Sequence, residues 1–370
     1  MNKPRVITGS TSVVLDSLRI MAALTVLVFH LFYHWFEKLD ITHKLDQASH
    51  MAVVVFFVLS GYVIAYTTSV NNRGGLKYMQ ARFSRLYSVV IPALIITAVC
   101  EILIHMYSPA LQAHFSRGVS WPRYIISGLF INEIWFFSAA PPVNGPLWSL
   151  SYEFWYYIIF GLWFYRKKGL KSFVLPVIAV LIAGPKILLM FPIWMMGYFA
   201  YHLTRPGIKN TPSWVLILAS LLLAGLLVNF VAPFPRKLGD IPWIFSSQFL
   251  TDWMVGLCIG FALWILPYGN HQTKQSKWLR IMADLTFPLY VLHNPLIILW
   301  DAVSKSKIVA ISQLWLPFVG IIFISVIIGL VFEKQRVLWI KMFKYLSGFV
   351  FSVKNINPAM AEKSDNNQDR

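Results

Sequence analysis

RYIISGLFINEIWFFS, residues 123–138, is the stretch on which the topology turns. It is apolar enough to enter lipid, yet it has only 16 residues and carries Asn132 and Glu133. A helical span takes roughly 17 to 25 residues. If this stretch crossed, the basic run Arg166, Lys167, Lys168 and Lys171 would land on the outer side, against the positive-inside rule. It is therefore expected to be an interfacial or re-entrant element on the outer side. The direction of every later crossing follows from that reading.

The rest of the chain supplies the context. Hydrophobic residues make up 57% and charged residues 13%, and the mean hydropathy is +0.62. A soluble domain carries about 25% charged residues, and here apolar runs of spanning length recur from end to end. The runs are continuously apolar rather than alternating, which favours helices over a β-barrel. The expected fold is all-α, a polytopic transmembrane helix bundle. The net charge of +17 does not point to nucleic acid, because the basic residues sit in short loops at every second gap between spans. Cys100 and Cys258 both fall inside predicted spans, which leaves no disulfide framework and no thiolate metal cluster. The first apolar run holds His30 and His34 and lacks a small-residue cleavage site, so it reads as a retained helix.

Ten spans are predicted, at 17–36, 51–69, 86–107, 146–165, 172–190, 191–204, 212–232, 245–266, 281–301 and 313–332, with the fifth and sixth parting near Pro192. Both termini are then cytoplasmic, and 23 of the 32 basic residues fall on the cytoplasmic side. Residues 1–333 are expected to form the membrane domain. Residues 334–370 are expected to form a basic cytoplasmic segment, interfacial to about Val353 and disordered over AEKSDNNQDR.

Four clusters stand out as candidates for chemistry. In RIMAALTVLVFH, residues 19–30, Arg19 and His30 are eleven positions apart. At ~100° per residue that is ~20° past three turns, so they share a face about 16 Å apart along the axis. His34 continues that face. An ionisable group inside a span is a functional candidate; the alternative is an anchoring arginine and a packed histidine. RFSRLYSVVIP, residues 82–92, places Arg82 and Arg85 on the first turn of the third span. Guanidinium forks suit phosphates, although topology alone also accounts for them. NGPLWSLSYEFWYY, residues 144–157, sets Glu153 two turns into an apolar helix with Ser149 above it. Trp148, Tyr152 and Tyr156 form a stripe that reads either as packing or as a sugar-holding face. In LTFPLYVLHNPL, residues 285–296, His293 and Asn294 lie at a depth close to His30 and Glu153, so a shared polar cavity is expected. VFFVLSGYVIA, residues 55–65, carries Ser60-Gly61, expected to serve close helix approach.

A cationic mouth, an apolar shaft and a distal histidine with a carboxylate fit a long donor with a polyanionic head, such as an acyl-CoA thioester. A neutral imidazole at His30 could act as general base or accept the acyl group itself. The chain resembles the membrane acyltransferase-3 family, whose members O-acylate surface glycans and some small molecules. The resemblance rests on LDSLRIMAALTVLVFH, VFFVLSGYVIA, RFSRLYSVVIP, LWSLSYEFWY and LTFPLYVLHNPL, with FEKQ standing where the family has Glu-Lys-Pro, in family order from residue 15 to about 336. It implies ten helices moving an acyl group, often acetyl, from cytoplasmic acetyl-CoA or another acyl-CoA to an envelope saccharide or its lipid-linked precursor at the outer face of a bacterial inner membrane. It makes His30 catalytic, ties Arg19, Arg82 and Arg85 to the CoA and sets Glu153 in the acceptor region, where it is expected to join His30 in catalysis. Trp148, Ser149, Ser151, Tyr152, Tyr290 and His293 fall to the acceptor, and no metal is implied.

Two departures shape the expectation. Gln335 stands where the family has proline, and no hydrolase-like extracytoplasmic domain is expected after the last span. Transfer is therefore expected to be completed by the chain alone, by a periplasmic or polysaccharide-assembly partner, or onto a simpler acceptor. A proton-coupled transporter or flippase is the alternative, but it needs no phosphate clamp on one side, and no inverted repeat is visible. A scaffold subunit would tolerate loss of His30.

Overall fold

The computed structural model describes residues 7, 9–70, 72, 74–231, 248–267, 277–304 and 307–365, with side chains to residue 346 apart from Glu333. Lys3, Arg5, Arg73 and Lys274 of the basic count, positions 245–247 of the eighth predicted span and residues 366–370 lie outside them. Every regular element among the described residues is helical. In order they are α1 (Ser10–Phe36), α2 (Asp40–Val70), α3 (Gly75–Tyr107), α4 (Pro109–Phe115), α5 (Ser120–Gly128), α6 (Trp148–Phe164), α7 (Val174–His202), α8 (Asn210–Phe230), α9 (Phe249–Trp264), α10 (Lys277–Val303) and α11 (Trp315–Asp365). Seven are long and apolar enough to cross a membrane: α1, α2, α3, α7 with its leading turn, α8, α10 and α11. The apolar helices α6 and α9 have 17 and 16 residues. Beyond the last apolar stretch α11 continues unbroken, past the boundary expected at 333–334 and into the tail expected to be disordered.

The centre of the bundle is the crossing of α2 with α7. A methyl group on Gly61 would strike the Trp194 carbonyl, and one on Gly197 would strike the Val58 carbonyl. Small residues at such a crossing let backbones meet where lipid supplies no hydrophobic drive between helices. Gly61 has the packing role expected of it. Its neighbour Ser60 does more, as described below.

α7 is a broken hairpin rather than a rod. Gly184 takes φ 77° and ψ 174°, ahead of Pro185. Glycine reaches that φ without steric cost, and the proline has no N–H to carry the helix through. Phe173, leading into α7, packs on Trp163 near the end of α6. At the break, Trp135 donates its backbone N–H to Ala183 (3.2 Å) and its indole N–H to Leu181 (2.9 Å). Past the break, Ile187, Trp194 and Tyr198 meet Tyr156 and Phe160 of α6 in step. The first arm thus runs against α6 and the second runs with it. The two arms part at Gly184, not at Pro192, which sits inside the second arm.

The stretch 123–138 forms no helix long enough to cross. α5 ends at Gly128, and the chain doubles back through Phe130 and Trp135, both at positive φ. It is held by Ala139 N–H to the Asn132 carbonyl (3.0 Å) and by a buried ion pair between Lys186 and Glu133. Glu133 also accepts from Ser138 (3.2 Å), and Lys186 donates to the Phe137 carbonyl (2.8 Å). Breaking such a buried pair by removing one partner costs roughly 3–5 kcal/mol. The pair locks the loop to the second arm of the hairpin.

Candidate active site

Two cavities lie end to end in the bundle and share Val53 and Tyr290 on their walls. Tyr290 forms the partition. Its hydroxyl lies 2.8 Å from Ser149 Oγ and donates to the Pro146 carbonyl at 3.1 Å.

The narrower cavity, about 80 Å3, gathers Arg19, Arg82, Arg85, Ser60, Glu153 and Tyr157. Arg82 donates to Thr67 Oγ1 at 3.3 Å and lies over the rings of Tyr78 and Tyr157, at 5.8 and 5.9 Å from their centroids. Its Nε is buried without a partner. Arg19 is 3.8 Å from Asp16, which also meets Arg280 at 3.7 Å. Glu153 accepts from Ser60 Oγ at 2.9 Å and from the Tyr157 hydroxyl, and the indole N–H of Trp194 reaches Ser60 at 3.2 Å. Ser60 is therefore part of the carboxylate's cradle as well as a small residue at a crossing. Even with Arg19 facing Asp16, the arginines on these walls outnumber the carboxylates, which suits a polyanion.

The wider cavity, about 630 Å3, is lined by His30, His34, His50, Trp148, Tyr152 and Asp252 among others. His30 Nδ1 lies 2.8 Å from the Val26 carbonyl. A carbonyl only accepts, so that nitrogen carries the proton and Nε2 keeps its lone pair. His293 repeats the arrangement, with Nδ1 2.7 Å from the Tyr290 carbonyl and Nε2 buried without a partner. The two imidazoles meet at 4.7 Å between centroids, 66° apart. Each has one nitrogen anchored to its own helix; His30 lines the cavity, whereas His293 is buried beside it.

Local sequence explains how α10 holds His293. Pro295 cannot donate to the Val291 carbonyl four residues back. The side-chain amide of Asn144 fills that position at 2.9 Å and donates also to Thr97 Oγ1 at 2.9 Å. Asn294 donates to the Val143 carbonyl at 2.9 Å. The Asn-Gly turn ahead of α6 is thereby fixed to the helix bearing Tyr290 and His293.

The structure brings together most of the residues singled out by sequence, but not in one chamber. His30 and His293 meet as expected. Glu153, expected beside them, lies on the other side of Tyr290 with the arginines, because it points from α6 one turn below Ser149. Ser149 faces the same side and touches Tyr290. Trp148 and Tyr152 line the wide cavity, while the fully buried Tyr156 directs its hydroxyl to the Ile187 carbonyl at 3.4 Å. Ser151, expected to bind substrate, is buried and spends its hydroxyl on the Phe130 carbonyl at 2.7 Å. It reaches neither cavity. Sequence reading passed over the buried Glu133–Lys186 pair and two histidine–aspartate pairs. In the latter, His34 meets Asp301 at 3.0 Å and His50 meets Asp252 at 2.9 Å. The available signal was an ionisable residue inside or beside an apolar run, and Asp252, Asp301 and Lys186 each had it.

A family model described as an acyltransferase domain, acyltransferase 3, matches residues 13–334. Among curated proteins, the chain is similar to an O-acetyl transferase of Shigella phage Sf6, 27% identical over 43% of this chain and 48% of that protein. It is similar to acyltransferase MdmB of Streptomyces mycarofaciens, 27% identical over 54% and 51%. It is also similar to peptidoglycan O-acetyltransferase OatA of Listeria monocytogenes, 24% identical over 79% and 50%. The chain spans about half the length of these relatives. No solved structure matches it.

Proposed function

From the premise that this chain belongs to the acyltransferase-3 family, we propose that it is a membrane O-acyltransferase drawing on an acyl-CoA. The observation that carries the reading is the pair of cavities divided by Tyr290, three arginines in one and the His30 imidazole in the other. Arg19, Arg82 and Arg85 hold the phosphates of the donor at the cytoplasmic end. The Ser60–Glu153–Tyr157 group braces that mouth. The donor's arm passes Tyr290 and brings the acyl carbon to His30 Nε2, with His293 against it. There the imidazole acts as base or takes the acyl group itself, and each route uses the same open nitrogen.

A saccharide of the envelope, or its lipid-linked precursor, occupies the wide cavity against Trp148 and Tyr152. The named activities of the relatives, O-acetyl transfer in two and peptidoglycan in one, support acetyl and a glycan. Reading the two arms of α7 as separate crossings, with α6 and α9 as short ones, gives ten crossings in a bacterial inner membrane. Both ends then lie in the cytoplasm, in line with the basic loops. Product delivery involves a polysaccharide-assembly partner or the lipid phase.

Purified protein incubated with labelled acetyl-CoA tests the proposal. Release of CoA by wild type, and its loss in His30→Ala and Arg19→Ala, is the expected result. No thioester turnover by a folded wild type would sink it.

A further inference from the structure

His50 and Asp252 come from helices 202 positions apart and meet on the wall of the wide cavity. His50 Nε2 donates to Asp252 Oδ2 at 2.9 Å. Asp252 is fully buried, and its other oxygen, Oδ1, has no partner. A buried carboxylate is costly unless paired, so the carboxylate is committed to the imidazole. With Nε2 bearing the proton, His50 Nδ1 keeps the lone pair. The ring is braced on Trp148, 12° from parallel with centroids 6.1 Å apart, and Trp148 lines the same cavity. A carboxylate that orients an imidazole and offsets the charge it gains is the second half of the catalytic triad logic.

In the acyl-histidine route the one open nitrogen of His30 carries the acyl group. A hydroxyl arriving from the wide cavity needs a proton acceptor on its own side. We infer that His50, oriented by Asp252, is the general base for the acceptor hydroxyl, a role resting on the acyltransferase reading above. The acceptor oxygen forms the ester bond to the acyl carbon, and its proton passes to His50 Nδ1. The bond from the acyl carbon to His30 Nε2 breaks, with its electron pair left on that nitrogen. Asp252 balances the imidazolium until the proton leaves through the open cavity.

The test uses membranes of the source organism containing the full-length protein, with labelled acetyl-CoA. Two readouts run together: label entering membrane glycan, and acetyl hydroxamate formed on adding hydroxylamine in excess of that formed with His30→Ala membranes. Hydroxylamine is nucleophilic without deprotonation, so it bypasses a missing base. Loss of a general base costs about 10²- to 10⁴-fold. His50→Gln is expected to lower glycan labelling at least about 100-fold while hydroxamate formation stays within about threefold of wild type. Asp252→Asn is expected to follow in the same direction with a smaller loss. Glycan labelling unchanged in His50→Gln would overturn the inference. So would parallel loss of both readouts in His50→Gln, which would place the residue on the donor side or in folding. Absence of both readouts in wild type would instead remove the acyltransferase reading itself.

Discussion

The two cavities share a wall and differ in almost everything else. The narrow one is basic, with three arginines around a single carboxylate that is itself hydrogen-bonded to Ser60 and Tyr157. The wide one mixes histidines and carboxylates, with Lys186 already paired to Glu133. A surplus of guanidinium favours a polyanion; hydrogen-bonding walls with aromatic faces favour a polyhydroxyl. One bundle thus holds two chemically distinct cavities. The contact between them narrows to one tyrosine and one valine.

The sharpest way to break this division is His30→Ala. It is expected to lower acyl transfer by roughly 10³-fold without changing affinity for CoA, read by turnover and by equilibrium binding. Arg82→Ala is expected next, raising KM for the acyl-CoA by about tenfold to a hundredfold, as loss of one or two charge-assisted bonds implies. Its effect on acceptor KM should be negligible. Trp148→Ala should do the reverse, weakening acceptor use by about tenfold through lost ring contact and leaving the KM for acyl-CoA alone. Tyr290→Phe, which removes only the hydroxyl bonded to Ser149 and Pro146, is expected to cost about 1 kcal/mol. Both KM values would then shift by a few-fold together.

Much of the division can be read from the sequence, and the residues that escaped are instructive. The Arg19–His30 spacing was legible because helical periodicity fixes both the shared face and the distance. That 123–138 forms no spanning helix was legible because a short stretch with a carboxylate conflicts with both span length and loop charge. The break in α7 was harder, because Gly184-Pro185 and Pro192 both look like interruptions. Only the first couples a proline to a residue at positive φ, and proline alone is tolerated inside membrane helices. Glu153 was misplaced for a different reason. Depth along its own helix does not say which side of a one-residue wall a side chain faces. His50 and Asp252 were invisible as a pair, since single ionisable residues on α2 and α9 reveal their partner only when the bundle closes.

Titration of purified wild type, Arg82→Ala and His30→Ala with CoA by calorimetry tests the separation of duties most directly. The account predicts that His30→Ala binds CoA within about twofold of wild type while Arg82→Ala binds at least about tenfold more weakly. Equal binding by wild type and Arg82→Ala, or loss of CoA binding in a folded His30→Ala, would contradict it.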